Sequence, residues 1–254
     1  MFERLPFLRP RPRAARLHPG DTVPTVERPL AVIGDIHGMA ALLERMLAAL
    51  AQAAPEALPI FVGDLIDRGP ASAAVLHRVQ ALDAAGAARC LLGNHEEMLL
   101  GFLDDPVAEG PRWLRHGGRE TLASFGLAVD GTPDDAALGQ LARDLRAALG
   151  PLEGWLRARP LLLQSGTVVI THAGCDPARP IRDQRREDLL WGPPGAGGQR
   201  RDDGMWIVQG HTVMRRATLA RGRIMIDTGA HAHGRLTAVL LGGETAAPRF
   251  LTLS

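Results

Sequence analysis

The sequence predicts an α/β fold whose first half is a parallel βαβ array and whose second half is a mixed or antiparallel sheet packed against it. Three observations carry this. In the first hundred residues, three short apolar runs end in Gly-Asp or Gly-Asn and alternate with stretches of helical spacing. Beyond Pro151 the chain changes to short β-like runs separated by turn residues. With 254 residues, 46% hydrophobic and 22% charged, the chain has the apolar mass for one large α/β domain.

Taken in order, residues 1–29 hold six Arg and six Pro with little periodicity, which predicts an extended arm or edge segment. No apolar run long enough for a signal core follows it, and no stretch approaches the roughly 20 apolar residues that span a bilayer. Residues 30–254 are read as a single domain. Within it, 30–33 is a strand, and 39–51 is a helix with Leu42, Leu43, Met46, Leu47 and Leu50 on one stripe. Residues 58–62 and 90–92 are strands on either side of a helix at 71–85. Helices follow at 96–103, 113–125 and 134–149, the last with Asp134 or Asp135 near its start. The β-like runs of the second half are 161–164, 167–171, 206–209, 219–220, 223–226, 236–241 and 249–253. Ser165-Gly166 and Arg221-Gly222 read as hairpin turns, and the Gly/Pro/Arg/Asp-rich 192–204 reads as a mobile loop.

Composition then closes several doors. There is no Lys, so all 29 basic residues are Arg, which excludes Schiff-base chemistry and a nucleotide loop built on Lys. Cys90 and Cys175 alone cannot make a cysteine zinc ribbon, an iron–sulfur site or a disulfide framework, and they fit a reduced, cytoplasmic setting. A formal net charge of +1 gives no field for polyanions, so neither nucleic acid nor membrane is expected as a partner. Chemistry must come from Asp, Glu, His, Arg and the single Asn, Asn94.

Those residues gather at strand ends. The first three runs lead into Gly34-Asp35-Ile36-His37-Gly38, Gly63-Asp64-Leu65-Ile66-Asp67-Arg68-Gly69 and Gly93-Asn94-His95-Glu96. Two later runs end at His172-Ala173-Gly174 and Gly210-His211-Thr212. In open α/β sheets such tips converge beyond the carboxyl ends of the strands. Oxygen and imidazole donors without thiolate suit Mn, Fe or Zn, and one carboxylate can bridge two ions in hydrolysis at phosphorus.

In order and spacing, these five motifs resemble the phosphoprotein phosphatase (PPP) metallophosphatases of the calcineurin-like metallophosphoesterase superfamily, most of all their compact bacterial serine/threonine phosphatases. Leu189-Leu190-Trp191, Asp227-Thr228-Gly229-Ala230 and Trp113 with Gly117, Gly118 and Thr121 are lesser echoes. The resemblance implies a four-layer α/β/β/α sandwich with mixed sheets and two divalent metal ions, Mn2+ first, with Fe or Zn as other choices. Asp35 and His37 would hold one ion, Asp64 would bridge, and Asn94, His172 and His211 would hold the other. Water or hydroxide between the ions would attack phosphorus directly. His95 would protonate the leaving group, with Asp67 orienting it and raising its pKa, and Arg68 would bind phosphate, with Asn94 near the same oxygens. A second phosphate-binding Arg is expected just after Trp191, where this chain has Gly192-Pro193-Pro194; Arg185, Arg186, Arg200 or Arg201 could replace it, with Arg186 first among them.

The implied substrate is a phosphoserine or phosphothreonine protein or peptide. The first alternative is symmetrical hydrolysis of diadenosine tetraphosphate, by a sister group that usually lacks the Asp at position 67 and carries Asp in place of Glu96. A non-catalytic metal-binding scaffold is the second. Glu96 is expected to tie down its own loop, Glu97 to be a helix-start acid, and Asp227 to be a turn residue or to orient a ligand. His231 and His233 are expected beside the site or at the surface. His18, His77 and His116 are expected to be structural, and Cys175 to be a small buried thiol.

Overall fold

The computed structural model describes residues 12–17, 22–195, 199–243 and 246–254. In chain order the elements are β1 (Arg13–Ala14), β2 (Leu30–Ile33), α1 (Ala40–Ala53), β3 (Leu58–Phe61), α2 (Ser72–Ala84), β4 (Arg89–Cys90) and α3 (Asn94–Asp104). Then come α4 (Pro106–Trp113), α5 (Arg119–Ser124), α6 (Asp135–Leu149), α7 (Pro151–Arg157), β5 (Leu162–Ser165), β6 (Val168–Thr171) and α8 (Arg186–Trp191). The chain closes with β7 (Trp206–Gln209), β8 (Thr218–Ala220), β9 (Arg223–Met225), α9 (Ala230–His233), β10 (Leu236–Leu241) and β11 (Arg249–Leu253).

One sheet has the order β1-β11-β10-β2-β3-β4, with β2, β3 and β4 parallel and β10 antiparallel to β2. The other has the order β5-β6-β7-β9-β8, with β6, β7 and β9 parallel and the outer strands antiparallel. Strand periodicity assigns the layers. Leu30, Val32, Ile60 and Val62 face Val168, Ile170, Val208 and Ile224 between the sheets. Their neighbours Ala31, Ile33 and Phe61 face Leu43, Met46 and Val75 of the helices. On the far side of the second sheet, Val169 and Ile207 meet Leu189. This is the expected α/β/β/α order, and it puts the carboxyl ends of β2, β3, β4, β6 and β7 at one shared edge.

The segment predicted as one helix at 113–125 is broken by a kink at Leu114–Gly118, because Gly117 takes φ 109°, outside the helical range. The helix α4 was not foreseen in a stretch rich in Pro and Gly. Asp105 caps it by accepting from Ala108 N at 3.1 Å, and Pro106 sits at its first turn. Arg221 and Gly222, both at positive φ, turn β8 into β9 as expected. In the β5–β6 hairpin the pairing of Ser165 with Val168 moves the turn one residue on, to Gly166-Thr167. Of the predicted arm, residues 1–11 and 18–21 lie outside the described residues, as does His18; Arg13–Ala14 pairs with Arg249–Phe250 as an edge strand. In the predicted loop, 196–198 lies outside them too.

Candidate active site

The Gly residues at the strand tips permit the loops to interlock. A Cβ on Gly93 would collide with Asp64 N, and one on Gly63 with Gly93 N, so the β3 and β4 tips lie backbone against backbone. Among the described residues, six that are not Gly have positive φ, and five of them are His37, Asp64, Asp67, Arg68 and His211. The sixth is the hairpin residue Arg221. Left-handed backbone in bulky residues costs of order 1–3 kcal/mol each and persists where packing over-determines it, commonly at functional sites.

Glu96 does much of that fixing. Its Oε2 accepts from Asp64 N and Gly93 N, each at 2.9 Å, and its Oε1 accepts from Leu65 N at 2.8 Å and Ile66 N at 3.3 Å. Burial and the Asp64 charge push the carboxyl up, while these backbone donors pull it down. The expectation that Glu96 ties its own loop holds, and it reaches the β3 tip as well.

The side chains so placed converge. His37 Nε2, His95 Nε2 and Asp64 Oδ2 form one group, with the imidazole nitrogens 3.6 and 3.9 Å from the carboxylate. Asp64 Oδ1, His172 and His211 form the other, with His172 Nε2 at 3.4 Å. Asn94 Oδ1 joins the second group, 2.7 Å from His172 Nε2 and 2.9 Å from His211 Nδ1. Asp35 lies against it by accepting His211 N at 2.9 Å. All six sequence-predicted ligands are therefore at this edge, joined by His95.

The chemistry of the donors tests whether cations fit. His37 Nδ1 donates to Ile66 O at 2.8 Å and His172 Nδ1 to Val62 O at 3.1 Å, which leaves both Nε2 atoms as lone pairs facing inward. Burial, the foremost cause, pushes His172 down to about 3 and His211 to about 4 and holds His37 well below the usual range, so these imidazoles are neutral. A buried lone pair 2.7 Å from an amide oxygen is an acceptor facing an acceptor. Such convergence, with Asp64 shared, fits divalent cations.

Asp67 is buried and accepts three donors. They are His95 Nδ1 at 2.7 Å, Thr121 Oγ1 at 2.6 Å and Trp113 Nε1 at 3.1 Å. Trp113 and Thr121 had appeared only as echoes of a motif; their function is to fix Asp67. Burial, the largest cause, pushes the His95 imidazole down to about 4 against the raising charge of Asp64. Its Nε2 lone pair accepts Arg68 Nη2 at 2.9 Å, while Arg68 Nη1 donates to His37 Nε2 at 3.2 Å.

The candidates for a second phosphate Arg divide. Arg201 is spent on Asp203 and on the carbonyls of Asp176 and Arg179, at 2.7 and 2.9 Å for the carbonyls, so it is structural. Arg186 donates to Glu97 Oε1 at 2.8 Å, and Trp191 Nε1 donates to Oε2 of the same carboxylate at 2.9 Å. Glu97 is thus an anchor at the rim and more than a helix-start acid. Trp191 lies 6.3 Å from the His211 ring and carries Arg112 over its own ring at 4.6 Å. His231 packs edge-on to His37 at 4.9 Å, beside the site, and His233 is exposed. Asp227 accepts from Gly229 N at 2.9 Å and its charge adds to the burial that raises Asp35. Burial pushes the Cys175 thiol up to about 12, an inert group.

The profile of the calcineurin-like phosphoesterase family matches residues 28–233. The symmetrical bis(5'-nucleosyl)-tetraphosphatase of Ralstonia nicotianae is 38% identical over 149 residues, which is 59% of this chain and 43% of that protein. The chain thus spans less than half the length of this relative. The asymmetrical bis(5'-nucleosyl)-tetraphosphatase PrpE of Bacillus velezensis is 30% identical over 228 residues, 81% of this chain and 86% of that one. Among solved structures, a putative diadenosine tetraphosphatase superposes with a TM-score of 0.61 at 22% identity, covering 92% of this chain and 96% of the other, which bears on the fold alone.

Proposed function

Because the chain belongs to the calcineurin-like phosphoesterase family, we propose that it is a metal-dependent hydrolase of dinucleoside tetraphosphates. The observation that carries this is the alignment with an asymmetrical tetraphosphatase over 81% of the chain and 86% of that relative, joined by a symmetrical one over 59% of the chain. Asp35, His37 and Asp64 would hold one divalent ion and Asp64, Asn94, His172 and His211 a second. When bound, the ions supply Lewis acidity and make water acidic enough to react near neutral pH. Arg68 turns from the two imidazoles to the phosphate oxygens, where its planar fork binds two of them and offsets the charge that develops. His95 then has a free Nε2 at the reacting phosphate, held in one ring orientation by Asp67.

The phosphomonoester reading is kept by one feature. The Asp67–His95 pair, with Glu96 behind it, is what the resemblance to protein phosphatases carries and what its dinucleotide-cleaving sister group usually lacks. Purified protein loaded with Mn2+ and given diadenosine tetraphosphate or a phosphothreonine peptide separates the two. The proposal expects a higher kcat/KM for the dinucleotide, with nucleotide products resolved by chromatography as two ADP or as ATP plus AMP. Turnover of the peptide alone would reverse the assignment, and turnover of neither would leave the metal-binding scaffold.

A further inference from the structure

A pocket of about 360 Å³ opens beside Arg68, and its other polar walls are Arg115, His116, Arg119 and Glu120. The kink Leu114–Gly118 builds it. Gly117 O accepts Arg68 N at 3.3 Å, and a Cβ on Gly117 would fall 2.5 Å from the same nitrogen, so only Gly lets the turn press onto the catalytic loop. Arg119 is committed elsewhere, donating to Val129 O at 2.9 Å and Gly131 O at 2.6 Å. Arg115 is exposed and makes no side-chain hydrogen bond or ion pair among the described residues. His116 is oriented by donating Nδ1 to Arg112 O at 2.8 Å. The pocket therefore offers one uncommitted guanidinium, that of Arg115, next to the guanidinium that contacts His95, with the His116 ring and the Glu120 carboxylate on its walls.

We propose that Arg115 forms a subsite, shared with Arg68, for the phosphates of a polyphosphate chain beyond the one attacked. The inference rests on the dinucleotide reading above and adds to it a place for the rest of the substrate. A phosphomonoester has no further phosphate to enter the pocket; a tetraphosphate chain has, and arginine forks suit it.

The test compares KM for diadenosine tetraphosphate with KM for para-nitrophenyl phosphate in wild type and Arg115→Ala, both with Mn2+ in excess. Loss of one charge-assisted contact should raise the ratio of the two KM values about tenfold in Arg115→Ala. Arg115→Lys should restore part of it. Inorganic tripolyphosphate should compete more tightly than inorganic phosphate in wild type and lose that advantage in Arg115→Ala. An unchanged ratio in a protein that cleaves the dinucleotide overturns the subsite alone. Loss of inhibition by adenosine instead of tripolyphosphate shows nucleoside recognition and overturns it as well. A wild type that hydrolyses para-nitrophenyl phosphate but no dinucleotide overturns both the subsite and the reading beneath it.

Discussion

Replacing Glu96 by Gln tests whether a buried carboxylate organises the site's backbone. Four N–H groups, from Asp64, Leu65, Ile66 and Gly93, converge on its two oxygens, two to each, at 2.8 to 3.3 Å. Whichever oxygen becomes the amide nitrogen, two backbone donors then face a donor, and the residue is 1% exposed, so water cannot replace the lost acceptor. Each buried donor left unsatisfied costs about 1–3 kcal/mol. Relief from burying a charge offsets part of this, which leaves about 3 kcal/mol of destabilisation for the pair. In a chain of this size that lowers Tm by about 6–12 °C. The same variant should bind metal less tightly, since Asp64 and Asp67 hold left-handed backbone only while this loop is pinned. Urea unfolding monitored by circular dichroism gives the stability, and elemental analysis after dialysis gives the metal. A Glu96→Gln variant within about 0.5 kcal/mol of wild type, the range of ordinary surface changes, would refute the reasoning.

Asp67→Asn should lower kcat by about 10²-fold or more with little change in KM, because His95 loses its orienting acceptor; steady-state kinetics with an unchanged kcat would contradict this. Thr121→Val removes both the donor to Asp67 Oδ1 and the acceptor of Asp67 N at 2.9 Å, and calorimetry should record a loss of about 1–3 kcal/mol together with reduced turnover. Chelation should abolish hydrolysis reversibly and lower Tm, since bound ions stabilise the folded state by mass action; activity that survives exhaustive chelation would remove the metal role. Asp203 sits below the usual carboxylate range because Arg201 donates to it. A depressed carboxyl stabilises the fold above its unfolded pKa and loses that contribution as pH falls through the folded one. Asp203→Asn should therefore weaken the fall in urea midpoint between neutral and acid pH.

What the sequence made legible, and what it left hidden, divides along a physical line. The tips of β2, β3, β4, β6 and β7 could be read because each joins an apolar run to a Gly and one or two polar ligands, signals contained within five or six residues. The parallel pairing of β2, β3 and β4 followed from the βαβ rhythm, while the joining of β10 and β11 to that sheet did not, nor did β1 against β11, since nothing local records a pairing across more than 230 residues. Asp67 is fixed by Trp113 and Thr121, residues 46 and 54 positions away, and they could be noticed only as parts of a familiar stretch. Arg201 looked available for phosphate because its sequence neighbours say nothing of Asp176 and Arg179, whose carbonyls claim it. Substrate class is not legible in the motifs for a related reason. Two cation sites, a phosphate fork and a fixed imidazole serve any phosphoester, so the ligand motifs report the reaction and are silent on what flanks the phosphorus. Asp67 and Glu96, used to favour a protein substrate, are spent on holding His95 and the loop backbone, tasks that any substrate of such a site requires. Discrimination has to come from groups that touch the substrate away from the attacked phosphate. The Arg115 pocket proposed above lies beyond the attacked phosphate, and the kink that builds it is placed by a contact between elements, Arg68 N on Gly117 O.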